Sequence, residues 1–243
     1  MPEERPAKRV AIVQSSYAPW KGYFDLIARA DEFILLDDVQ FTRRDWRNRN
    51  RIKTPHGLLW LTVPVRTRGH FEQRIDEVLI SDPGWAQRHW STLRHAYGRA
   101  PGFATVAPDL KTLYDGCDQP LLTQVNEHLL RGLCALLGIG TPVSRATVMP
   151  AGTDPTERLV AHCRQAGATE YLAGPSSWAY LREGAFTEAG IAVTTMEYGP
   201  YAPYAQLHGP FEERVSVLDV LFHAGTDALR HVVGRTVPAG AAT

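Results

Sequence analysis

The segment from Asp37 to Thr54 concentrates the residues of this chain that could bind an anion. It reads DDVQFTRRDWRNRNRIKT and holds five arginines and one lysine between Arg43 and Lys53. Asp45 is the only carboxylate among these cations, so positive charge is in excess. Because the planar guanidinium group suits phosphate or carboxylate, the segment predicts an anion-binding site. The alternative is an arginine-rich surface loop that stays solvated.

Aromatic and amide side chains within the same segment favour the anion site. Trp46 lies among the arginines, where a tryptophan is costly unless it packs or stacks. Asn48 and Asn50 alternate with arginines, so an extended chain would carry amides on one face and guanidinium groups on the other. We expect Asp45 and the two asparagines to hold the arginines in place. The substrate-binding residues predicted here are Gln40, Arg44, Trp46, Arg47, Asn48, Arg49, Asn50 and Lys53.

A strand, a helix and a second strand precede the basic segment and position it. Apolar residues 9–14 predict a buried first strand, and residues 32–39 predict a second strand. The residues between them place apolar side chains at helical spacing, as in YFDLIARA. The three elements therefore predict a βαβ unit, whose two strands lie parallel.

The rest of the chain predicts a larger α/β fold. Residues 58–65 and 75–80 predict two further strands, and residues 84–140 predict three helices with no strand among them. Strands and helices alternate again after this block. We predict a Rossmann-like, mostly parallel sheet formed by residues 9–80 and 141–200. We also predict a single domain over residues 1–243, in which residues 84–140 form an inserted helical subdomain.

Polar residues follow several of the predicted strands. Ligands of open α/β sheets bind at the carboxyl ends of the strands. A Gly-Pro-Ser-Ser turn that opens a helix also offers backbone N–H groups to an anion, although it could simply cap that helix. We predict that the first and the late turn face one cleft. The substrate-binding residues predicted at these turns are Gln14, Tyr17, Gly174, Ser176 and Ser177.

Three side chains are candidates for a catalytic base. They are Asp37, Asp38 and His89, whose carboxylate or imidazole could take a proton from an acceptor substrate. Adjacent residues of a strand point to opposite faces, so at most one of the two aspartates faces the site. The alternative roles are salt bridges to nearby arginines for the aspartates and a surface position for the histidine.

Composition excludes several other classes of protein. Lys and Arg number 26 and Asp and Glu also number 26, so nucleic acid is not an expected partner. The polar start and the lack of ~20 consecutive apolar residues predict a cytoplasmic protein with no membrane partner. The three cysteines show no metal-ligand spacing, so no metal site is predicted. No Walker or GxGxxG motif identifies a cofactor.

Five motifs together resemble the WbqC-like protein family: QSSYAPWKGYFDLI, DDVQFTRRDWRNRNRIKT, WLTVPV, YLAGPSSWAYL and VSVLDVLFHAG. The resemblance spans about residues 9 to 226. That family is found in gene clusters for bacterial surface glycans and some specialised metabolites. The resemblance also marks Trp20, Tyr204 and Gln206, which complete the predicted substrate-binding residues.

The family and the arginines together indicate a biosynthetic transferase. Its substrate would be phosphate-bearing and activated, such as a nucleotide-sugar or an acyl thioester, and a carrier protein is a further candidate partner. The opening unit also resembles the HxGH nucleotidyltransferases, with Trp20 and Tyr23 at the two histidine positions. The alternatives are therefore an HxGH-type nucleotidyl- or adenylate-forming enzyme with an altered signature, or a non-catalytic protein that binds pathway intermediates.

Overall fold

The fold is seen in a computed structural model, which describes residues 7–150 and 152–234. The strands are β1 (Arg9–Val13), β2 (Glu32–Leu35), β3 (Arg49–Thr54), β4 (Gly57–Thr62), β5 (Val143–Arg145), β6 (Glu170–Ala173) and β7 (Ala192–Thr195). The α-helices are α1 (Lys21–Ala28), α2 (Trp85–Tyr97), α3 (Phe103–Asp115), α4 (Leu122–Leu137), α5 (Pro155–Gln165), α6 (Glu183–Glu188) and α7 (Val217–Ala224). Short 3-10 turns cover Ile75–Glu77, Pro175–Ala179 and Gly225–His231.

Five strands form one parallel sheet in the order β5-β2-β1-β6-β7. The neighbouring strands β1 and β2 pair in parallel from Val10 opposite Glu32 to Val13 opposite Leu35. The other three neighbouring pairs are parallel as well. The predicted α/β fold with a mostly parallel sheet is therefore confirmed. Counted in chain order within the sheet, the strand order is 3-2-1-4-5, so the chain crosses from one side of β1 to the other.

The sheet separates two apolar cores. Alternate strand residues point to opposite faces. Ile34 and Leu36 pack towards α5 and α6, in a cluster with Leu159 and Phe186. Phe33 and Leu35 belong to the larger cluster on the other face, which includes α1 and α4. Asp37 and Asp38, which follow Leu36, continue this alternation, so their side chains lie on opposite faces of the sheet.

The prediction that residues 58–65 and 75–80 add strands to the parallel sheet is wrong. Strand β4 pairs only with β3, as a separate antiparallel hairpin in which Arg51 lies opposite Trp60. Only Pro55 and His56 separate the two strands, and so short a connection permits only antiparallel pairing. Residues 75–80 begin with a 3-10 turn and contribute only isolated bridges, at Leu79 and Ile80.

Helices α2, α3 and α4 occupy the block predicted as an inserted subdomain. They pack side by side, and α3 also contacts α7. Phe222 of α7 stacks on Tyr97 and Phe103, with ring centroids 4.8 and 5.4 Å apart. These helices therefore share the core on one face of the sheet. That they form an inserted subdomain of one domain stays a prediction. Among the described residues, no helix combines the length and apolar character needed to cross a membrane.

Candidate functional site

The carboxyl end of β1 is the topological switch point of the sheet, where the order in which the chain adds strands reverses. The chain passes from β1 to β2 on one side and later returns from β5 to β6 on the other side of β1. The connections that follow the strands on either side of such a point run in opposite directions. A crevice therefore opens between them at the carboxyl ends of the strands, and ligands commonly bind there. Two cavities flank this strand end, one on each side of the residues that follow Val13.

The first cavity, here called the arginine cavity, has a volume of about 480 Å³. Aromatic rings of Trp20, Tyr23, Trp46 and Tyr198 form much of its wall. Its charged lining residues are Arg47, Arg51, Glu213 and Arg214. The volume lies within the range of about 300–1,000 Å³ that is usual for small-molecule sites.

Arg47 joins the hairpin to the loop after β1. Its Nη1 donates to the carbonyl oxygens of Gln14 and Ser15 at 3.0 and 3.2 Å, and to Ser16 Oγ at 3.0 Å. Its Nε lies 3.5 Å from Asp45 Oδ2. Within the described residues Nη2 has no acceptor. The guanidinium group is thus held at the cavity wall with one nitrogen left for a ligand.

Arg49 and Arg51 lie on the outer face of β3 against tryptophan rings. The guanidinium carbons lie 4.2 and 5.5 Å from the centroid of Trp60, and that of Arg51 lies 5.9 Å from Trp46. Neither arginine has a carboxylate within 4.0 Å in the described part of the chain, and neither Nε has a hydrogen-bond partner there. No carboxylate of the residues that the structure describes therefore pairs with either guanidinium group.

The asparagines of the segment are buried, whereas Arg49 and Arg51 are only partly buried. Asn48 Nδ2 donates to the carbonyl of Val63 at 2.9 Å, and Asn50 Nδ2 donates to that of Ala18 at 2.8 Å. These amides fix the hairpin to its neighbours, and Asn50 Oδ1 also accepts from the backbone N–H of Arg51 at 2.8 Å. Of the three residues expected to hold the arginines, only Asp45 contacts a guanidinium group in the described part of the chain, that of Arg47.

Trp20 folds back over the start of α1, and Gly22 makes this possible. A Cβ atom at Gly22 would lie 2.3 Å from Cη2 and Cζ2 of the Trp20 ring. The ring centroid lies 5.2 Å from that of Tyr198, which follows β7. The two rings together close one side of the arginine cavity.

The second cavity, here called the Asp38 cavity, has a volume of about 640 Å³ and lies on the α5 side of β1. Its polar lining residues are Gln14, Asp38, Gln40, Arg74, Thr153, Arg158 and Tyr180. Asp38 Oδ2 accepts hydrogen bonds from the backbone N–H of Met149, at 3.0 Å, and from Arg158 Nη1. Arg74 is paired with Asp76 and Glu77 at 2.9 and 3.4 Å. Both arginines of this cavity are therefore already neutralised.

Asp37 lies on the other face and lines neither cavity. Its Oδ1 accepts from the backbone N–H of Ser15 at 2.8 Å, and its Oδ2 accepts from Thr123 Oγ1 on α4. Burial raises the pKa of this carboxyl, while the bonds from Thr123 and Ser15 and the charge of Arg47 act in the opposite direction. With both oxygens engaged, Asp37 connects β2, the loop after β1 and α4.

His89 belongs to a buried cluster of rings. Its Nδ1 lies 2.8 Å from Tyr17 Oη, which in turn lies 2.7 Å from Tyr114 Oη. Burial lowers the pKa of His89 to about 4, so the imidazole is neutral at pH 7. Tyr17 is fully buried. Neither residue lines the two cavities, and their hydrogen bonds connect the loop after β1 to α2 and α3.

Tyr204 and Gln206 lie in a second buried network. Tyr204 Oη and Gln206 Nε2 each donate to Asp219 Oδ1 at 2.8 Å, and Tyr97 Oη donates to Oδ2 at 2.9 Å. Lys53 Nζ donates to Gln206 Oε1 at 2.9 Å. The network ties the loop before α7 to that helix and to β3.

The late turn follows β6, as the sequence indicated. Ser177 N–H donates to the carbonyl of Gly174 at 2.9 Å within the 3-10 turn, and Ser176 is exposed. Neither cavity is lined by Gly174, Ser176 or Ser177. Tyr180, which ends the turn, does line the Asp38 cavity. That this turn shares a cleft with Gln14 stays a prediction.

The predicted site residues are thus divided. The arginine cavity brings together Trp20, Trp46, Arg47 and Asn50, and the Asp38 cavity brings together Gln14, Asp38 and Gln40. The other predicted residues lie outside both: Tyr17, Asp37, Arg44, Asn48, Arg49, Lys53, His89, Gly174, Ser176, Ser177, Tyr204 and Gln206.

Several lining residues were missed by the sequence reasoning. Arg51 lies two residues from Arg49, so the same alternation could have identified it. Tyr198, Arg214 and Arg158 come from elements distant in the chain, and no local pattern marks them. Within residues 7–150 and 152–234, no three His, Cys, Asp or Glu side chains cluster as metal ligands do.

Comparisons with known proteins agree on a single group. A sequence model of the WbqC-like protein family matches residues 14–231. The chain is 49% identical over 221 residues to the uncharacterized protein Rv1507c of Mycobacterium tuberculosis (strain ATCC 25618 / H37Rv). That alignment covers 91% of this chain and 96% of the relative. No solved structure gives a significant match.

Proposed function

The chain belongs to the WbqC-like protein family, and on that premise we propose that it is a biosynthetic transferase whose phosphate-bearing activated substrate binds in the arginine cavity. The substrate is a nucleotide-sugar or an acyl thioester of a surface-glycan or specialised-metabolite pathway. Where the donor is a carrier-bound thioester, a carrier protein is the partner.

One observation carries this proposal: Arg51 and Arg214 line an aromatic-walled cavity at the switch point, and their guanidinium groups have no carboxylate within 4.0 Å in the described part of the chain. Unpaired guanidinium groups bind phosphate well. They also stabilise negative charge that develops on a leaving group, which is the main requirement of group transfer from an activated donor. The aromatic rings suit the flat ring of a nucleotide.

Replacing Arg51 with alanine should weaken the binding of pyrophosphate tenfold or more, because a charge-assisted hydrogen bond contributes about 1.5–3 kcal/mol. Isothermal titration calorimetry measures the affinity. Arg49→Ala is the matched control, since Arg49 shares the strand face and the charge but does not line the cavity. The melting temperature of both variants should stay within about 2 °C of the parent. Equal affinity of Arg51→Ala and the parent chain would refute the anion site.

Asp38 is the base in this proposal. It is the only one of the three predicted candidates that lines a cavity. Asp37 has both oxygens engaged, and His89 is buried with a lowered pKa. A base needs access to the acceptor's proton, and of the three candidates Asp38 is the one that lines either of the two cavities described above.

A nucleotidyl- or adenylate-forming enzyme of the HxGH type is the second candidate. One observation favours it: Trp20 and Tyr23, at the two signature positions, both line the arginine cavity. Product formation that requires both ATP and Mg²⁺ would support this alternative over transfer from a preactivated donor. Failure to turn over any donor would favour the non-catalytic binding role.

Replacing Gly22 with alanine should weaken the binding of uridine diphosphate roughly tenfold, because the new methyl group displaces the Trp20 ring from the cavity wall. Pyrophosphate has no ring to stack, so its affinity should stay within about twofold of the parent value. The helix itself should be unharmed, since alanine favours helices over glycine. An equal loss for both probes would show that the substitution disturbs the arginines and not the ring.

A further inference from the structure

We propose that the Asp38 cavity is a separate binding site for a second ligand, an uncharged or cationic compound that presents hydroxyl or ammonium groups. The two ligands would lie on opposite sides of the carboxyl end of β1. This site goes beyond the proposed anion site and does not depend on what the arginine cavity binds.

The two cavities differ in their electrostatics. In the arginine cavity, the guanidinium groups of Arg51 and Arg214 have no carboxylate within 4.0 Å among the described residues, and the lining carboxylate of Glu213 is paired with Lys21. In the Asp38 cavity, Arg158 is paired with Asp38, and Arg74 is paired with two carboxylates. An anion would gain little from cations that are already paired, and it would be repelled by the acids beside them. The Asp38 cavity therefore suits a neutral or positively charged molecule.

One carboxylate oxygen of Asp38 is an unsatisfied hydrogen-bond acceptor among the described residues. The residue is only 8% exposed, and its Oδ2 is engaged by Arg158 and by the backbone of Met149. Its Oδ1 is buried and accepts no hydrogen bond from the described residues. Buried carboxylate oxygens are almost always bonded, so an isolated one points to a missing donor. A hydroxyl or ammonium group is such a donor.

The remaining polar groups suit a ligand of this kind. Gln14 and Gln40 each carry an amide that both donates and accepts, which matches a hydroxyl group, although Gln40 Nε2 also donates to the carbonyl of Phe71 at 3.2 Å. The Gln14 side chain makes no hydrogen bond to the described residues, so it is available to a ligand. Leu36, Leu159 and Met149 supply apolar wall, and the volume of about 640 Å³ is sufficient for a monosaccharide-sized molecule.

The position of the cavity explains how two ligands could meet. Gln14 lines the Asp38 cavity, whereas Val13, just before it, and Ser16, two residues after it, line the arginine cavity. The segment after β1 therefore borders both cavities at once. Donor and acceptor would then be separated by about the thickness of one strand.

The test uses D-glucose and D-glucosamine as probes, which share hydroxyl groups and differ by one ammonium group. Calorimetric titration should show that the parent chain binds at least one of them. Gln14→Leu and Asp38→Asn should weaken that binding by at least about tenfold. Arg51→Ala should leave it unchanged. Gln14→Leu keeps the Asp38–Arg158 pair, so it decides the question if Asp38→Asn fails to fold.

Tryptophan fluorescence separates the two sites. Trp20 and Trp46 line the arginine cavity, and none of the residues that line the Asp38 cavity is a tryptophan. Pyrophosphate should therefore change the emission and the sugar should not. The proposal is overturned if neither sugar binds the parent chain, or if Arg51→Ala removes sugar binding while Gln14→Leu preserves it. Failure of the anion site is distinguishable from these outcomes, because it would appear as an unchanged pyrophosphate affinity in the Arg51→Ala variant.

Discussion

Replacing Arg158 with methionine is expected to lower the free energy of unfolding by about 3–5 kcal/mol. The side chains of Arg158 and Asp38 are 9% and 2% exposed, so the pair is removed from water. Methionine fills much of the volume but leaves the Asp38 carboxylate buried without a counterion. Such a charge costs far more than the intact pair contributes. Urea denaturation of both chains measures the change.

The double variant Asp38→Asn, Arg158→Met is the matched control. It removes both charges, so most of the lost stability should return. Together with the single variants Asp38→Asn and Arg158→Met it completes a double-mutant cycle, which isolates the coupling energy between the two side chains. A double variant that is less stable than Arg158→Met would mean that the two side chains do not act as a pair. The outcome bears on function because the same ion pair holds Asp38 at the wall of its cavity.

Replacing Asp219 with alanine should lower the free energy of unfolding by about 3 kcal/mol or more. Asp219 is fully buried and accepts from Tyr97, Tyr204 and Gln206. Its removal leaves the buried hydroxyl of Tyr97 and the partly buried hydroxyl of Tyr204 without this acceptor, and each such loss costs about 1–3 kcal/mol. Gln206 Nε2 keeps a second acceptor, the carbonyl oxygen of Glu212 at 2.9 Å. For a chain of this size the melting temperature should fall by roughly 6–12 °C.

Tyr204→Phe is the control for this network, since it removes one donor and leaves the acceptor in place. It should cost only about 1 kcal/mol and should not alter pyrophosphate affinity, because Tyr204 lines neither cavity. If Tyr204→Phe or Asp219→Ala weakened pyrophosphate binding at an unchanged melting temperature, these residues would belong to the binding site. A loss of stability with unchanged pyrophosphate affinity would show that Tyr204 and Gln206 have a structural role. The sequence had predicted that both residues bind substrate.

Local patterns in the sequence determined the framework of the molecule. The apolar run at β1, the helical spacing of α1 and the second apolar run at β2 were sufficient to predict a parallel βαβ unit, because such patterns act over a few residues. The excess of arginine between Arg43 and Lys53 likewise predicted unneutralised charge, since counting needs no coordinates. The alternation of Asn50 and Arg51 predicted that amide and guanidinium side chains lie on opposite faces of an extended chain.

Only the tertiary structure decided how these parts meet. The partner of β4 was missed because the polar residues Arg49–Thr54 show no apolar alternation that predicts a strand, although a turn of only two residues pairs β3 with β4. Arg158 reaches Asp38 from 120 residues away. The division of the predicted site residues between two cavities and the core also arose from packing. Polar residues such as Tyr17 and His89 look alike in sequence whether they bind a ligand or each other, and burial alone distinguishes the two cases.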